Sequence, residues 1–223
     1  MIAFAASASG SAARHRPTSA QADAAVDAIE RLGLRIAYTK DEEIYGQEET
    51  VDRVYRVASG AVRTTRLLSD GRRQIGEFYF PGDIFGLEPG PDHRFSAEAL
   101  CDSEIVMVKR TALRGEREAA ADLERMIWIA TLRELERAQE HVLLLGRKTA
   151  CERVASFLLD IVGRTGGRGD LPMGRQDMAD YLGLTIETVS RMLTQLQSNS
   201  VVEFDALRRF KISNPQAIAR LAA

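Results

Sequence analysis

The run from Gln176 to Arg191, Gln-Asp-Met-Ala-Asp-Tyr-Leu-Gly-Leu-Thr-Ile-Glu-Thr-Val-Ser-Arg, narrows the fold more than any other part of the chain. It predicts a helix, a tight turn and a second helix with one polar and one apolar face. Ala179 leaves room for two helices to cross, and Gly183 sits where the turn calls for a positive φ. Thr185 is the expected N-cap of the second helix. Val189, Leu193 and Leu196 fall on the side that faces a core, whereas Ile186, Glu187, Ser190 and Arg191 point away from it. A helix arranged in this way suits a DNA major groove. The plainer alternative is an αα-hairpin that serves only packing.

Glu187 and Arg191 are four residues apart, so they share a face and can restrain each other as an ion pair. In a major groove a carboxylate accepts from the cytosine amino group, and a guanidinium donates to guanine O6 and N7 or to a phosphate. The two residues are therefore expected to read one G·C pair in each half-site. Ile186 suits a thymine methyl, or equally packing beside the helix cap. Thr185, Thr188, Arg175, Arg147, Lys148 and Lys211 are candidate phosphate contacts, with the helix N-terminus adding its dipole. Side chains of these types equally often just coat a solvated surface.

Two short extended runs, Val201–Phe204 and Arg209–Ile212, follow this motif and make a small wing, and Pro215–Leu221 can form a last helix. A helix over Thr149–Ile161 precedes it, so the C-terminal module reads as a winged helix-turn-helix. Upstream, no glycine or proline interrupts Ala119–Leu145, a helical run about 40 Å long at the standard rise. Along it Trp128, Thr131, Leu135, Ala138, Val142 and Leu145 recur at three- and four-residue intervals, and Met126, Ile127, Ile129 and Leu132 widen the belt. More than one apolar face predicts packing both on its own domain and on a partner helix, hence a homodimer. The alternative is burial entirely within one chain.

From Glu43 to Val108 the chain is short extended segments cut by turns. Ser69–Asp70–Gly71 between two such runs signals a hairpin, and Pro81–Gly82–Asp83 signals a second turn. Regular spacing of this kind predicts an antiparallel sandwich or jelly roll, either packed solid or built as a small-molecule sensor. Met1–Gln21, rich in Ala and Ser, reads as a flexible leader, with a helix from about Asp23 to Leu32. The net charge of −2 says nothing for DNA, but residues 145–223 carry eleven Lys/Arg against eight Asp/Glu, so the basic excess sits in the C-terminal module. Cys101 and Cys151 lie fifty residues apart and the chain has three histidines, His15, His93 and His141; neither a metal cluster nor a disulfide framework is indicated. No apolar run is long enough to span a bilayer.

Gly60–Ala61–Val62, Gly71–Arg72–Arg73–Gln74–Ile75, Phe80–Pro81–Gly82–Asp83–Ile84–Phe85–Gly86 and Glu187–Thr188–Val189–Ser190–Arg191 occur in that order. With them the chain resembles the Crp/Fnr superfamily of bacterial transcription regulators over residues 35–215. Glu43–Ile44–Tyr45–Gly46 and Ser59–Gly60–Ala61–Val62–Arg63 make it most similar to the FixK branch. The resemblance implies an α+β chain with an N-terminal cyclic-nucleotide-binding-like double-stranded β-roll, a long dimerisation helix and a C-terminal winged helix-turn-helix. The corresponding division is a leader over 1–22, the roll over 23–117, the dimerisation helix over 118–145 and the DNA-binding domain over 146–223. It also implies a TTGA–N6–TCAA-type palindrome read through Glu187, Ser190 and Arg191, with Ile186 able to touch DNA. FixK proteins are cytoplasmic activators of microaerobic, nitrogen-fixation or denitrification genes that recruit RNA polymerase.

The departures concern cofactors. Cyclic-nucleotide members of the superfamily carry an Arg-Ser or Arg-Thr phosphate grip, whereas here Phe95 separates Arg94 from Ser96 and Gly86–Leu87–Glu88 lacks the usual ribose-binding arrangement. Iron–sulfur relatives use an N-terminal cysteine cluster that this leader lacks, and neither His93 nor His141 has a haem signature. Met173–Gly174–Arg175–Gln176 holds no cysteine where some FixK proteins are redox-sensitive, and Cys151 reads as an inert helix residue. No cofactor is expected, and constitutive, effector-independent DNA binding is the preferred reading. Its rivals are a ligand-gated regulator and a structural module whose last helices bind protein. With no Ser-His-Asp, paired-carboxylate or phosphate-loop arrangement, an enzyme is the least supported class.

Overall fold

The computed structural model describes residues 29–114, 117–167, 169–206 and 208–223. The leader expected over 1–22 and most of the helix expected from Asp23 lie outside the described residues; residues 29–32 are helical. Eight strands follow: β1 (Leu34–Tyr38), β2 (Glu43–Tyr45), β3 (Arg53–Ser59), β4 (Val62–Leu67), β5 (Arg73–Tyr79), β6 (Ile84–Phe85), β7 (Ser96–Ala99) and β8 (Ser103–Lys109). They form two four-stranded antiparallel sheets in the orders β1-β8-β3-β6 and β2-β7-β4-β5, a double-stranded β-roll. Tyr45, Tyr55, Val57, Tyr79, Phe85 and Ile105 meet in its interior. The Asp70–Gly71 turn closes the β4–β5 hairpin, with Leu68 N donating to Arg72 O at 2.8 Å. Alternation does not predict β1, which is mostly exposed and is held at a sheet edge by pairing with β8.

The long helix α1 (Arg117–Arg147) exceeds the expected run by two residues at each end, reaching about 46 Å at 1.5 Å per residue. Helix α2 (Ala150–Arg164) starts at a capping box in which Thr149 and Glu152 satisfy each other's backbone N–H groups, at 2.7 Å for Thr149 N to Glu152 Oε2. Then come α3 (Arg175–Leu182), α4 (Ile186–Ser198), the wing strands β9 (Val202–Ala206) and β10 (Arg209–Ile212), and α5 (Pro215–Ala222). The elements of the C-terminal module thus form where local pattern predicts them, with Thr185 as the cap of α4.

One apolar cluster joins the two ends of the chain. Ile75, Phe78 and Phe80 of the roll pack with Phe157, Leu158, Leu182 and Val189 of the C-terminal module. Strand β4 is consequently buried on both faces over Val62–Thr65, and its in-out alternation is lost.

Gly183 ends α3 with φ +61, in the left-handed region. A Cβ there would meet Leu145 Cδ2 at 3.5 Å and Arg153 Nη1 at 3.6 Å, ordinary contacts, so the cost of a side chain is backbone strain alone. Gly183→Ala is expected to destabilise by about 1–2 kcal/mol, lowering the thermal midpoint by roughly 2–8 °C. Gly183→Asn should lose less, since Asn visits this region more readily. Calorimetry of the two variants checks both the size and the order; equal midpoints for Gly183→Ala and the parent would refute it.

Candidate nucleic-acid interface

Helix α4 is built from its cap outward. Thr185 Oγ1 accepts from Thr188 N at 3.3 Å and lies 3.2 Å from Thr188 Oγ1, fixing the first turn. Val189, Leu193 and Leu196 anchor the helix in the core, leaving Ile186, Glu187 and Arg191 exposed and Ser190 half-buried. The Glu187 carboxyl is held below its ordinary value by its own backbone N–H and by the Thr185 hydroxyl, so it is an obligate acceptor at neutral pH. One expectation is corrected: among the described residues Glu187 and Arg191, both exposed, form no ion pair, and the Arg191 guanidinium has no protein partner.

The flanking candidates divide into outward-facing and committed groups. Arg175, at the start of α3, donates to Ser190 Oγ at 3.2 Å, so the two helices present a joined Arg-Ser pair. Local pattern did not reveal this link. On the wing, Lys211 is exposed and paired with Glu203 at 2.8 Å. Arg147 is exposed at the end of α1. Lys148, by contrast, is turned inward, donating to Ser156 Oγ at 3.0 Å and to the Ala222 carbonyl at the end of α5. Thr185 and Thr188 also line a cleft shared with Arg72 and Arg73 of the β4–β5 hairpin, a neighbourhood invisible in the sequence.

Helix α1 carries two unlike faces. Leu123, Ala130, Met126 and Ile127 pack on the roll, and Tyr79 donates its hydroxyl to Glu134 Oε1 at 2.6 Å. On another side Trp128, Leu135 and Val142 are 64%, 55% and 70% exposed, with Leu132 and Leu143 beside them. Thr131 and Ala138 are exposed too, Thr131 bonding back to Ile127 O, whereas Leu145 is half-buried near Gly183. Among the described residues no group of His, Cys, Asp and Glu could hold a metal ion, and no helix is long and apolar enough to cross a membrane.

A β-roll joined by a long helix to a winged helix-turn-helix defines a DNA-binding transcription regulator of the sensor-domain type. Residues 35–118 match the cyclic nucleotide-binding domain and residues 152–221 the Crp-like helix-turn-helix domain. The nitrogen fixation regulation protein FixK of Azorhizobium caulinodans is 45% identical over 200 residues, covering 86% of this chain and 81% of that protein. FixK of Rhizobium meliloti is 44% identical over 190 residues, 84% of this chain and 87% of its own length. Among solved structures, FixK2 from Bradyrhizobium japonicum superposes with a TM-score of 0.80 at 49% identity, over 86% of this chain and 98% of that one. The chain belongs to the FixK-like branch of the Crp/Fnr superfamily, a family of non-enzymatic transcription factors.

The family's roll implies a cyclic nucleotide, and the residues here do not fit one. Arg94 is exposed, while Phe95 packs over Gly76, where a Cβ would lie 2.8 Å from its ring. Ser96 Oγ is taken by Gln47 N at 2.9 Å. Inside the roll Tyr45 stacks on His93 at 3.7 Å between ring centroids, and Tyr55 and Phe85 stack at 5.2 Å.

Proposed function

We propose that the protein is a homodimeric transcription activator that reads a TTGA–N6–TCAA-type palindrome without a small-molecule effector. It acts in the cytoplasm, recruits RNA polymerase, and controls genes of microaerobic respiration, nitrogen fixation or denitrification. The observation that carries the reading is α4, a rigidly capped helix whose outward face offers an ionised acceptor, Glu187, beside an unengaged donor, Arg191. A G·C pair presents the complementary donor and acceptors in the major groove. Ile186 is left for a thymine methyl and Ser190 for a base edge. Arg175, Thr185, Thr188, Lys211 and Arg147 are the backbone contacts, and Lys148 is the weakest of that group because its donors are already used.

Half-site centres in such a palindrome lie about ten base pairs apart, one turn of DNA, which suits two copies of α4 on one face of the duplex. The α1 stripe of Trp128, Thr131, Leu135, Ala138, Val142 and Leu145 is the proposed dimer seam. Leu135→Ala removes apolar surface from both protomers at once, and with about half of each side chain left to cover, the loss is about 1.5–3 kcal/mol. The dimer dissociation constant should rise roughly ten- to a hundredfold in sedimentation equilibrium. No change would remove Leu135 from the seam.

Effector independence is supported by the aromatic packing inside the roll and by the outward Arg94. A gel-shift titration on the palindromic duplex, with and without cyclic nucleotides, tests the whole reading. Tight binding by the protein alone is expected. Binding only after nucleotide is added would replace it with a ligand-gated regulator, and binding without sequence preference would sink both.

A further inference from the structure

Helices α1 and α3 both end beside the same side chain. A helix C-terminus leaves carbonyls without intrahelical partners and carries partial negative charge. Arg153, in the first turn of α2, donates through Nη2 to Leu145 O at 2.7 Å and through Nε to Lys148 O at 3.0 Å. Its Nη1 reaches the other way, to Leu182 O at 3.0 Å, the last carbonyl of α3. One guanidinium therefore caps the end of the long helix and the end of the first helix of the helix-turn-helix together. A second link runs parallel to it: His141 Nε2 bonds Tyr181 O at 2.9 Å, and the two rings stack with centroids 4.2 Å apart. Only three residues separate Leu182 from the start of helix α4, so whatever fixes the end of α3 against α1 also aims α4.

We infer that Arg153 is the positioning residue that sets the separation of the two α4 helices in the dimer, and through it the spacing between half-sites that the protein accepts. This rests on the palindrome reading above. In a dimer joined along α1, the angle between α1 and α3 fixes where each α4 lies relative to the two-fold axis. One base pair added between half-sites turns the second by roughly 35° and moves it about 3.4 Å, so a stiff junction rejects the change and a loose one follows it. Lysine cannot replace the fork, because three donors on a single nitrogen do not span three separated carbonyls, one on α1, one in the link that follows it and one on α3.

The test uses the full chain and duplexes carrying the two half-sites with five, six or seven intervening base pairs, together with scrambled half-sites. The parent protein is expected to favour one spacing by about tenfold or more over its neighbours. Arg153→Lys should still prefer the true half-sites over scrambled ones while binding the three spacings within about threefold of one another. His141→Ala, which cuts the parallel link, should relax spacing in the same direction and serves if Arg153→Lys fails to fold. Folded Arg153→Lys that keeps the parental spacing ratio overturns the inference, as does unchanged spacing in His141→Ala when Arg153→Lys is unfolded. A parent that binds all three spacings equally overturns it while leaving the palindrome reading standing. A parent that binds no palindrome removes both.

Discussion

Arg191→Ala is expected to lose specific DNA binding while keeping the parental fold. The side chain is exposed and, among the described residues, bonds to nothing in the protein, so its removal exposes no buried group and opens no cavity. Each bidentate contact between a guanidinium and guanine is worth about 1–3 kcal/mol of discrimination. A dimer uses two, so the loss should be about 2–6 kcal/mol, or roughly 30-fold to 10⁴-fold in affinity for the palindrome. Binding to a scrambled duplex should change far less, since only one positive charge per protomer is removed. Fluorescence anisotropy on both duplexes at one fixed salt concentration separates these effects, and an unchanged melting curve verifies the fold. Parental affinity for the palindrome would strip Arg191 of its assigned role.

The contrast with Arg175 sharpens that experiment. Arg175 is tied to Ser190 Oγ, so truncating it also releases a hydroxyl on the reading face. Arg191 is the cleaner probe because nothing else moves with it.

What could be read from the sequence was local. The cap at Thr185, the left-handed Gly183, the buried spacing of Val189, Leu193 and Leu196, and the turns at Asp70–Gly71 and Pro81–Gly82 all act within a few residues, and each forms where expected. Three kinds of feature could not be read in this way. β1 exists only because β8 supplies its hydrogen bonds, and its own residues are largely exposed. Arg153 reads as one more charge near a helix start, since its acceptors lie on two other elements. The charged seam between roll and C-terminal module joins residues about a hundred positions apart: Arg63 bonds Asp177 at 3.2 Å, and Arg73 bonds Asp177 at 2.6 Å and Asp180 at 2.8 Å. The local expectation that failed, the Glu187–Arg191 pair, joins two exposed side chains, where an ion pair gains little over hydration.

The same seam supports the largest stability prediction. Arg164, the last residue of α2, is mostly buried and reaches Glu77 at 3.0 Å, Asp83 at 2.9 Å and Asp160 at 3.4 Å. It also donates to the Phe78 carbonyl and lies 4.8 Å over the Phe80 ring. Burial disfavours its charge, yet the carboxylates of Glu77 and Asp83 outweigh burial and hold the guanidinium above its ordinary value. Arg137 of α1 approaches the same two acids, at 3.6 Å and 3.3 Å, so the roll, the long helix and the C-terminal module meet around one charge cluster. Arg164→Ala leaves Glu77 and Asp83 short of a counter-charge in a place water reaches poorly. Breaking a buried pair from one side costs about 3–5 kcal/mol, so the thermal midpoint should fall by roughly 6–20 °C. Removing the Glu77 charge as well should recover part of that loss, because much of the penalty is uncompensated burial and Asp83 keeps its pair with Arg137. The double change Arg164→Met, Glu77→Gln, which leaves Arg137 its pairs with Asp83 and Glu134, is therefore expected to melt above Arg164→Ala. A midpoint for Arg164→Ala within about 2 °C of the parent would mean that the Arg164 pairs contribute no net stability. The roll and the reading module would then be held together chiefly by the apolar cluster of Ile75, Phe78 and Phe80 with Phe157, Leu158, Leu182 and Val189.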